Sequence, residues 1–431
     1  MYDGQAQTMS RDELTVLQEK RLRALLDRLL AADGVPGRRL RDAGVTAGDD
    51  VTLADLPRLP TLTKPDLWEH YPWGLVSVPM RDVVAVHGSS GTGGRPTLVA
   101  YTRADLELWG RMCARSLSCA GATEDSVVHN AYGYGLFTGG QGVHQGAVAL
   151  GATVVPMSGG MTARQARMIA DLRPDILTCT PSYAVRIAEE LRKLGVDPAE
   201  NGLRAGIFGA EAWSDALRPA LEELLGLTAL DIYGLSEVIG PGVATECREA
   251  QDGLHVNEDH FLVEVVDPLS GEPVPDGTPG ELVFTTPTKE ALPLLRYRCG
   301  DIAALDRTTC ACGRTLARIS KIIGRRDDML VIRGVNVYPS EVERVLLATP
   351  EIAPDYLLVV DRRTPIPRLY VACESADPGV AASVEDRLRE VLGLRAEVRV
   401  LAPGTVPRTE VGKAVRCVTW ESGDPPVAGL G

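Results

Sequence analysis

The segment His87-Gly-Ser-Ser-Gly-Thr-Gly-Gly-Arg-Pro-Thr97 is a dense run of glycine and hydroxyl side chains. It follows the apolar stretch Asp82-Val-Val-Ala-Val86, and an apolar run that ends in Ser, Thr and Gly is typical of a buried strand followed by a tight loop. Because glycine lets the main chain approach closely, such a loop can point several N–H groups and hydroxyls at one anion. No Gly-Lys-Ser/Thr follows at the Walker spacing. The segment therefore predicts a polyphosphate-binding loop of another type, and a simple surface turn is the alternative.

The chain from Val83 to about Gly240 alternates short apolar runs with amphipathic stretches. This alternation is typical of an α/β domain with largely parallel strands. The predicted strands are Ser126–Val128, Ala152–Pro156, Ile176–Cys179 and Arg204–Phe208, and the predicted helices are Thr162–Leu172 and Ser214–Leu225. Leucines at helical spacing over residues 9–32 predict a further helix on the outside of this domain.

Two smaller units are predicted downstream. From Asp259, short strands with Gly, Pro and Asp turns indicate a β-rich subdomain. Beyond Arg325–Asp328 the pattern indicates a compact α+β domain of about a hundred residues. Its predicted elements are strands over Met329–Arg333, Asp355–Val360, Arg368–Cys373 and Ala396–Leu401, a helix that begins at Ser340 with a Ser340–Glu343 capping box, and a helix over Ser383–Leu392. We therefore predict one domain over residues 1–326 and a second over residues 327–431.

The composition restricts the class of protein. With 431 residues, of which 45% are hydrophobic and 24% charged, the chain is predicted to be globular, with a large core and a second domain. A net charge of −13 argues against a nucleic-acid or anionic-membrane binder. No apolar run approaches the roughly 20 residues that span a bilayer, and the polar N-terminus shows no signal peptide. The nine cysteines, an odd number, fit reduced thiols, so the expected location is the cytoplasm.

Further motifs follow the glycine-rich segment in a fixed order. They are Asp231-Ile-Tyr-Gly-Leu-Ser-Glu237, Arg296-Tyr-Arg-Cys-Gly-Asp301, Gly324-Arg-Arg-Asp-Asp328, Arg333-Gly-Val-Asn-Val-Tyr-Pro-Ser340 and Pro407-Arg-Thr-Glu-Val-Gly-Lys413. Together the series resembles the motif set of the adenylate-forming enzymes, a superfamily of acyl-CoA synthetases, adenylation domains and luciferases. The segments His129–Gly140, Pro156–Met161 and Phe208–Trp213 make the chain most similar to the phenylacetate–CoA ligase family, from about Leu59 to about Arg416.

The resemblance implies both a fold and a reaction. The fold is α/β, with a large N-terminal adenylate-forming domain of parallel-strand layers and a β-rich subdomain, and a small mobile α+β C-terminal domain. In the reaction, a carboxylate attacks the α-phosphorus of ATP to give an acyl-adenylate and pyrophosphate, and the thiol of CoA then displaces AMP. The implied acid is aryl, either phenylacetate-like or a substituted benzoate or anthranilate.

The resemblance also implies a site for ATP and Mg²⁺. The β- and γ-phosphates would lie against Ser89, Ser90, Gly91, Thr92 and Gly93. Glu237 would hold the Mg²⁺ that bridges the phosphates, since this hard cation takes one or two protein carboxylates. Asp301 would accept hydrogen bonds from the ribose hydroxyls, and Arg325 would reach the ribose or a phosphate. The remaining nucleotide residues are Gly209, Ala210, Glu211, Asp231, Tyr233, Gly234 and Ser236, with Tyr233 and the 209–211 turn beside adenine.

The family pattern is not matched everywhere. Gly93 and Arg95 stand where the family usually has threonine and lysine, and Cys299-Gly300 replaces a Thr-Arg or Thr-Gly pair. The arginine keeps the positive charge, whereas one hydroxyl on the phosphates is lost, so we expect at most weaker ATP binding.

Two residues near the C-terminus carry implied roles in catalysis and movement. Lys413 would bridge the substrate carboxylate and the α-phosphate, a task suited to a compact ammonium on a flexible stem. Asp327 lies where the family has its hinge, about which the C-terminal domain would rotate between the two half-reactions. A solvated linker carboxylate is an equal alternative for Asp327.

Aromatic and small residues occupy the family positions around the acyl group. Such residues form a flat apolar slot, although packed turns have the same composition. The predicted acyl-pocket residues are Tyr132, Tyr134, Phe137, Ile239, Gly240 and Pro241.

A separate metal site is predicted from Cys310-Ala-Cys312, which resembles half of a zinc knuckle. Cys247 and His255 lie on a neighbouring predicted hairpin and would complete a Cys₃His set for structural Zn²⁺. Free structural thiols are the alternative.

The acceptor and the activity leave other hypotheses open. The same first half-reaction would serve a stand-alone enzyme that loads an aryl acid onto the phosphopantetheine of a carrier protein. A degenerate nucleotide-binding homologue is a third hypothesis, which the presence of Glu237, Asp301 and Lys413 disfavours. Homodimers are common among the relatives that the chain resembles, so a homodimer is a further expectation.

Overall fold

The computed structural model describes residues 1–32, 34–89, 96–213, 215–326, 330–332, 335–364, 367–408, 415–427 and 430. Its α-helices, in chain order, are α1 (Gly4–Gln7), α2 (Arg11–Ala31), α3 (Val35–Asp42), α4 (Lys64–Glu69), α5 (Arg103–Cys119), α6 (Thr138–Leu150), α7 (Thr162–Leu172), α8 (Pro181–Lys193), α9 (Arg218–Leu225), α10 (Pro339–Leu347) and α11 (Ala381–Leu392). Within the described residues, no helix is long and apolar enough to cross a membrane.

The strands fall into a large central sheet and four smaller sheets. They are β1 (Ala85–Gly88), β2 (Leu98–Tyr101), β3 (Val127–Asn130), β4 (Thr153–Pro156), β5 (Ile176–Cys179), β6 (Ala205–Gly209), β7 (Thr228–Leu235), β8 (Gly240–Glu246), β9 (Leu254–Val256), β10 (Leu262–Val266), β11 (Gly280–Thr285), β12 (Tyr297–Ala303), β13 (Leu305–Asp306), β14 (Arg318–Ile319), β15 (Gly324–Arg325), β16 (Leu330–Ile332), β17 (Val335–Val337), β18 (Tyr356–Asp361), β19 (Arg368–Glu374), β20 (Glu397–Leu401) and β21 (Cys417–Trp420).

The central sheet has the strand order β13-β14-β9-β8-β7-β6-β5-β3-β4. Strands β3 to β7 are parallel, and β7 is followed by antiparallel pairs. Every residue of β5 and β6 is buried, as expected for strands covered on both faces. Because β3 lies between β4 and β5, the strand order reverses there, and ligands of open α/β sheets bind at the carboxyl ends beside such a point. These ends carry Asn130, Cys179 and Gly209.

The predicted α/β alternation is confirmed, with one local difference at its start. The strand expected over Asp82–Val86 is β1, which begins at Ala85 and pairs antiparallel with β2 rather than joining the central sheet. A short 3₁₀ turn occupies Met80–Asp82, where the side chains of Arg81 and Asp82 are exposed. Arg81 and Asp82 are polar and solvent-exposed, so burial in a sheet would not stabilise them. Strand pairing therefore begins at Ala85, within the apolar run.

The predicted β-rich subdomain is an antiparallel sheet with the order β10-β11-β12-β15. Its buried residues join a core that also includes residues of β2, α5 and β8, such as Tyr101, Trp109 and Val243. Since β12 also carries Asp301, this sheet places that carboxylate opposite the end of β7.

The C-terminal part contains the hairpin β16–β17, the sheet β20-β19-β18-β21 and the helices α10 and α11. The predicted Ser340–Glu343 capping box is wrong. The helix begins at Pro339, and the Glu341 carboxylate accepts from the main-chain N–H of Tyr338 at 3.2 Å. Because Pro339 takes the first helical position, the N-cap is Tyr338, two residues before Ser340 in the chain. Ser340 therefore lies inside the first turn, and its hydroxyl donates to the carbonyl of Ile323.

Candidate active site

A hydrogen-bonded triad with a buried tyrosine and a buried carboxylate lies between β7 and the β-rich subdomain. The Tyr233 hydroxyl donates to Asp301 Oδ2 at 2.6 Å, and Arg325 Nη1 donates to Asp301 Oδ1 at 2.7 Å. Asp301 and Arg325 are cross-strand partners on β12 and β15. The Tyr233 ring stacks on Phe284 with 6.0 Å between centroids. A carboxylate has about four acceptor positions, so Asp301 keeps capacity for further donors beyond these two.

The unusual Cys299-Gly300 pair is accommodated beside this triad. The Cys299 thiol is buried, donates to the carbonyl of Leu282 at 3.2 Å and lies 3.7 Å from the Tyr233 hydroxyl. Gly300 has φ +85°, a left-handed conformation that favours glycine. The departure from the family pattern therefore leaves the position of Asp301 supported on both sides.

The turn after β6 brings Gly209, Ala210 and Glu211 to the carboxyl edge of the sheet. A Cβ on Gly209 would lie 2.2 Å from the carbonyl oxygen of Ile232, so only glycine allows this approach of β6 to β7. Ala210 has φ +66°, which is a strained conformation for a residue with a Cβ. The Glu211 carboxylate accepts from the Ser182 hydroxyl at 2.9 Å, at the start of α8.

The turn after β7 carries Glu237, which is only 4% exposed. Its main chain is held from two sides: Lys289 Nζ donates to the Glu237 carbonyl at 2.8 Å, and the Tyr101 hydroxyl donates to the carbonyl of Ile239 at 3.1 Å. The hydroxyls of Ser236 and Thr138 lie 3.2 Å apart, which links the turn to the start of α6.

Asp231 lies further back on β7, beside the buried ammonium of Lys321 at 3.7 Å. Burial raises the pKa of Asp231 to about 7, and the charge of Lys321 opposes this shift. Lys321 Nζ also lies 3.2 Å from the ring centroid of Trp213. Gly234 continues the strand toward the turn, with no room for a Cβ beside the carbonyl of Gly240.

The predicted acyl-pocket residues have very different exposures. Tyr132 and Ile239 are buried in separate core clusters, whereas Phe137 is 48% exposed. Tyr134 is half-buried: its hydroxyl accepts from Asn130 Nδ2 at 2.8 Å and lies 3.1 Å from His144 Nδ1. Burial raises the pKa of the Tyr134 hydroxyl to about 12.

Gly240 and Pro241 begin β8 against α5. A Cβ on Gly240 would lie 2.7 Å from the indole of Trp109, and the Pro241 carbonyl accepts from Trp109 Nε1 at 3.1 Å. This contact brings the end of the Glu237 turn against the core.

Several predicted residues lie outside the described part of the chain. They are Ser90, Gly91, Thr92, Gly93, Asp327 and Lys413. Ser89 is described, and its N–H donates to the carbonyl of Thr97 at 3.0 Å. The two ends of the glycine-rich segment are therefore joined by the β1–β2 hairpin.

The predicted Cys/His cluster (Cys247, His255, Cys310 and Cys312) comes together. All four ligand atoms lie within 4.8 Å of one another. Cys247 Sγ and Cys310 Sγ are 3.8 Å apart, and Cys312 Sγ is 3.5 Å from His255 Nε2. Cys247 directly follows β8 and His255 lies on the neighbouring strand β9. The other two come from a tight turn, in which the N–H of Gly313 donates to the carbonyl of Cys310 at 2.9 Å.

Sequence reasoning missed three polar residues at these sites. Lys289 contacts the main chain of Glu237, from which it is far away in the chain. Asn130 and His144 contact the hydroxyl of Tyr134, and both lie within apolar runs of the sequence. A lone lysine after a strand carries no local signal of burial. Asn130 could have been found, since a polar residue at the carboxyl end of a predicted parallel strand is a candidate site residue.

Comparison with known proteins places the chain in a family. Residues 21–289 match the family described as AMP-binding enzyme, and residues 334–419 match the AMP-binding enzyme C-terminal domain. The phenylacetate–coenzyme A ligase of Thermus thermophilus is 48% identical over 96% of this chain and 98% of its own length. The chain belongs to the phenylacetate–coenzyme A ligase family. A second relative in this family, from Escherichia coli, is 47% identical with 95% of each chain covered.

Solved structures confirm the predicted fold class. The 2-hydroxyisobutyryl-CoA ligase in the postadenylation state, in complex with 2-HIB-AMP, has a TM-score of 0.90 at 28% identity, covering 96% of this chain and 91% of that one. The same ligase in the thioesterification state, with 2-HIB-AMP and CoA, has a TM-score of 0.73 over the same shares. The structure of this chain as a whole is therefore more similar to the postadenylation structure.

Proposed function

We propose that this protein is an AMP-forming ligase that joins an aryl acid of the phenylacetate class to CoA. The observation that carries the proposal is the similarity to phenylacetate–coenzyme A ligases along almost the whole chain, at 48% identity over 96% of it. The Tyr233–Asp301–Arg325 triad supports it, because a buried carboxylate with spare acceptor positions suits the hydroxyls of a ribose.

The proposed reaction has two steps, adenylation of the acid and thioester formation. A carboxylate oxygen of the acid forms a bond to the α-phosphorus of ATP, and the bond from that phosphorus to the pyrophosphate oxygen breaks. The CoA sulfur then bonds to the acyl carbon, the bond to AMP breaks, and the thiol proton passes to solvent. Both steps depend mainly on positioning and on neutralising phosphate charge.

Glu237 is the residue we assign to Mg²⁺. Its carboxylate is buried beside the nucleotide residues of β7 and supplies the hard oxygen that this cation prefers. When bound, Mg²⁺ neutralises charge on the phosphates. The contribution of the chain is to hold the carboxylate in one place through the hydrogen bonds on its turn.

Lys413 and Asp327 complete the proposal at the C-terminal domain, over residues 327–431. Lys413 would neutralise charge as the acid approaches the α-phosphate, and rotation about Asp327 would withdraw it for the thiol step. The higher TM-score to a postadenylation structure than to a thioesterification structure supports two such arrangements in this fold.

The acid is proposed to lie near Tyr134, at the carboxyl end of β3. The half-buried phenol offers an aromatic edge, while its hydroxyl is engaged by Asn130 and His144. Phe137 would close the outer side, since its exposed ring can reorient over a bound acid.

Pyrophosphate release tests the function and the acceptor together. Mg-ATP is supplied with a panel of aryl and short aliphatic acids, with and without CoA. The proposal predicts acid-dependent release that continues over many turnovers only with CoA. A single burst that CoA does not affect would favour a carrier-protein acceptor, and no release with any acid would favour the degenerate homologue.

The Cys/His cluster is proposed to bind structural zinc. Zn–S bonds of about 2.3 Å and Zn–N bonds of about 2.0–2.1 Å in a tetrahedron place the ligand atoms about 3.5–3.8 Å apart. The measured separations of 3.8 Å and 3.5 Å fit this geometry. Metal analysis of the purified protein should find one zinc per chain, lost in Cys312→Ser and kept in Cys417→Ser. Full zinc content in Cys312→Ser would contradict the assignment.

A further inference from the structure

Lys289 is a fully buried lysine beside the turn that carries Glu237. It lies in the loop after β11 and has 0% exposure. Lysine is almost never fully buried without a partner, because an ammonium loses its hydration there. The partner here is the main chain of Glu237, whose carbonyl accepts from Lys289 Nζ at 2.8 Å.

The surroundings of Lys289 compensate a positive charge. Nζ lies 5.2 Å from the ring centroid of Tyr101, within cation–π range. The charges of Asp105 and Glu237 act on it and favour its protonated form, although burial lowers the pKa of Lys289 to about 8. The aromatic ring and the two carboxylates therefore offset part of the cost of burying an ammonium here.

The loop that presents Lys289 is itself held in place. The buried carboxylate of Asp105, in the first turn of α5, accepts from the main-chain N–H groups of Glu290 and Ala291 at 2.7 Å and 2.9 Å. On the other side, the Tyr101 hydroxyl donates to the carbonyl of Ile239. Two side-chain donors therefore hold the Glu237 turn: Lys289 at the carbonyl of Glu237, and Tyr101 at the carbonyls of Ile239 and, at 3.4 Å, Ser236.

We propose that Lys289 is a positioning residue for Glu237: its ammonium donates to the Glu237 carbonyl and so holds the turn that presents the carboxylate where the metal–nucleotide complex binds. An apolar side chain of similar size would fill the same space without burying a charge, so packing alone does not account for a lysine here. The inference rests on the proposed role of Glu237 as the Mg²⁺ ligand.

The test is the Mg²⁺ dependence of acid-dependent ATP–pyrophosphate exchange in Lys289→Met. Loss of an outer partner of a metal ligand typically costs about 10- to 100-fold, so the half-saturating Mg²⁺ concentration should rise by about that factor. Thioester formation from preformed acyl-adenylate and CoA should be unchanged, which a general folding defect would not allow. Lys193→Met, at the exposed end of α8, is the matched control.

Further variants separate the outcomes. Tyr101→Phe removes only the second donor and should raise the Mg²⁺ requirement by a smaller factor, so it replaces Lys289→Met if that variant does not fold. An unchanged Mg²⁺ requirement in Glu237→Gln would overturn the metal role of Glu237 and the proposal with it. A raised requirement in Glu237→Gln with a normal one in Lys289→Met and Tyr101→Phe would overturn the positioning role alone.

Discussion

Among single residues, the proposed ribose site depends on one carboxylate. Asp301 accepts from both Tyr233 and Arg325, so its charge organises two neighbours as well as the proposed hydroxyls. In Asp301→Asn, kcat/KM for ATP should fall by about 10- to 100-fold, since hydrogen bonds to a charged group contribute about 1.5–3 kcal/mol. ATP–pyrophosphate exchange measures this effect.

The matched control for this change is Asp276→Asn, which alters an exposed carboxylate paired with Arg307. It should leave the exchange rate unchanged. Equal ATP dependence in Asp301→Asn and wild type would remove Asp301 from the nucleotide site.

Motif residues could be proposed from the sequence because the ordered motifs carry the family resemblance, and their assigned roles stay predictions. Asp301 and Glu237 belong to this group: Asp301 lies buried within β12, and Glu237 lies buried in the turn after β7. Lys289 could not be predicted, because its role arises only when the loop after β11 meets the turn after β7. Such a contact between distant segments leaves no local pattern.

At the scale of elements, a buried ion pair joins α5 to the loop before β10. Arg115 Nη1 lies 2.8 Å from Asp259 Oδ1, and both side chains are buried. Asp259→Asn leaves the guanidinium without its main partner, so the free energy of unfolding should fall by about 3–5 kcal/mol at neutral pH. Urea unfolding measures the change, with Asp49→Asn at an exposed pair as the control.

The same pair predicts a dependence of stability on pH. Burial alone would raise the pKa of Asp259, but the hydrogen bond and charge of Arg115, with His260 and Arg21, hold that pKa below its ordinary value. The stabilisation is therefore present above the unfolded pKa of about 3.9 and is lost as the pH falls through the folded pKa. Between pH 6 and pH 3, wild type should lose more stability than Asp259→Asn; parallel curves would contradict this.

Strands β6 and β7 approach each other closely at Gly209, so a substitution there tests how much stability depends on this contact. In Gly209→Ala, the new Cβ would meet the Ile232 carbonyl at 2.2 Å, so the strands must shift. We expect a loss of about 1–3 kcal/mol in the free energy of unfolding. Gly4→Ala in α1, where a Cβ makes only ordinary contacts, should be neutral. A fully stable Gly209→Ala would show that the two strands separate without cost.

Elements with a strong pattern were predicted well, and their ends less so. Strand β5 and helix α7 have the predicted bounds because apolar periodicity and flanking turns agree. The predicted start of α10 was wrong. Ser340 and Glu343 have the residue types and spacing of a capping box, but Pro339 already occupies the first helical position. A capping motif alone does not decide between two nearby helix starts.

At the scale of the whole molecule, the account requires two arrangements of one catalytic lysine. Lys413→Ala should reduce adenylation by about 100-fold or more, the usual loss when a charge-stabilising donor is removed. It should keep thioester formation from preformed acyl-adenylate, because the lysine has no part in that step. Single-turnover measurements of each half-reaction check both expectations, and unchanged adenylation would reject the assignment.

The product balance of the complete reaction is the decisive test of the proposed ligase activity. Protein, Mg-ATP, phenylacetate and CoA are incubated together, and the nucleotide, phosphate and thioester products are quantified over many turnovers. We predict one AMP and one pyrophosphate for every phenylacetyl-CoA, with no ATP consumption when the acid is left out. Formation of ADP and phosphate, or ATP consumption independent of any acid, would contradict it.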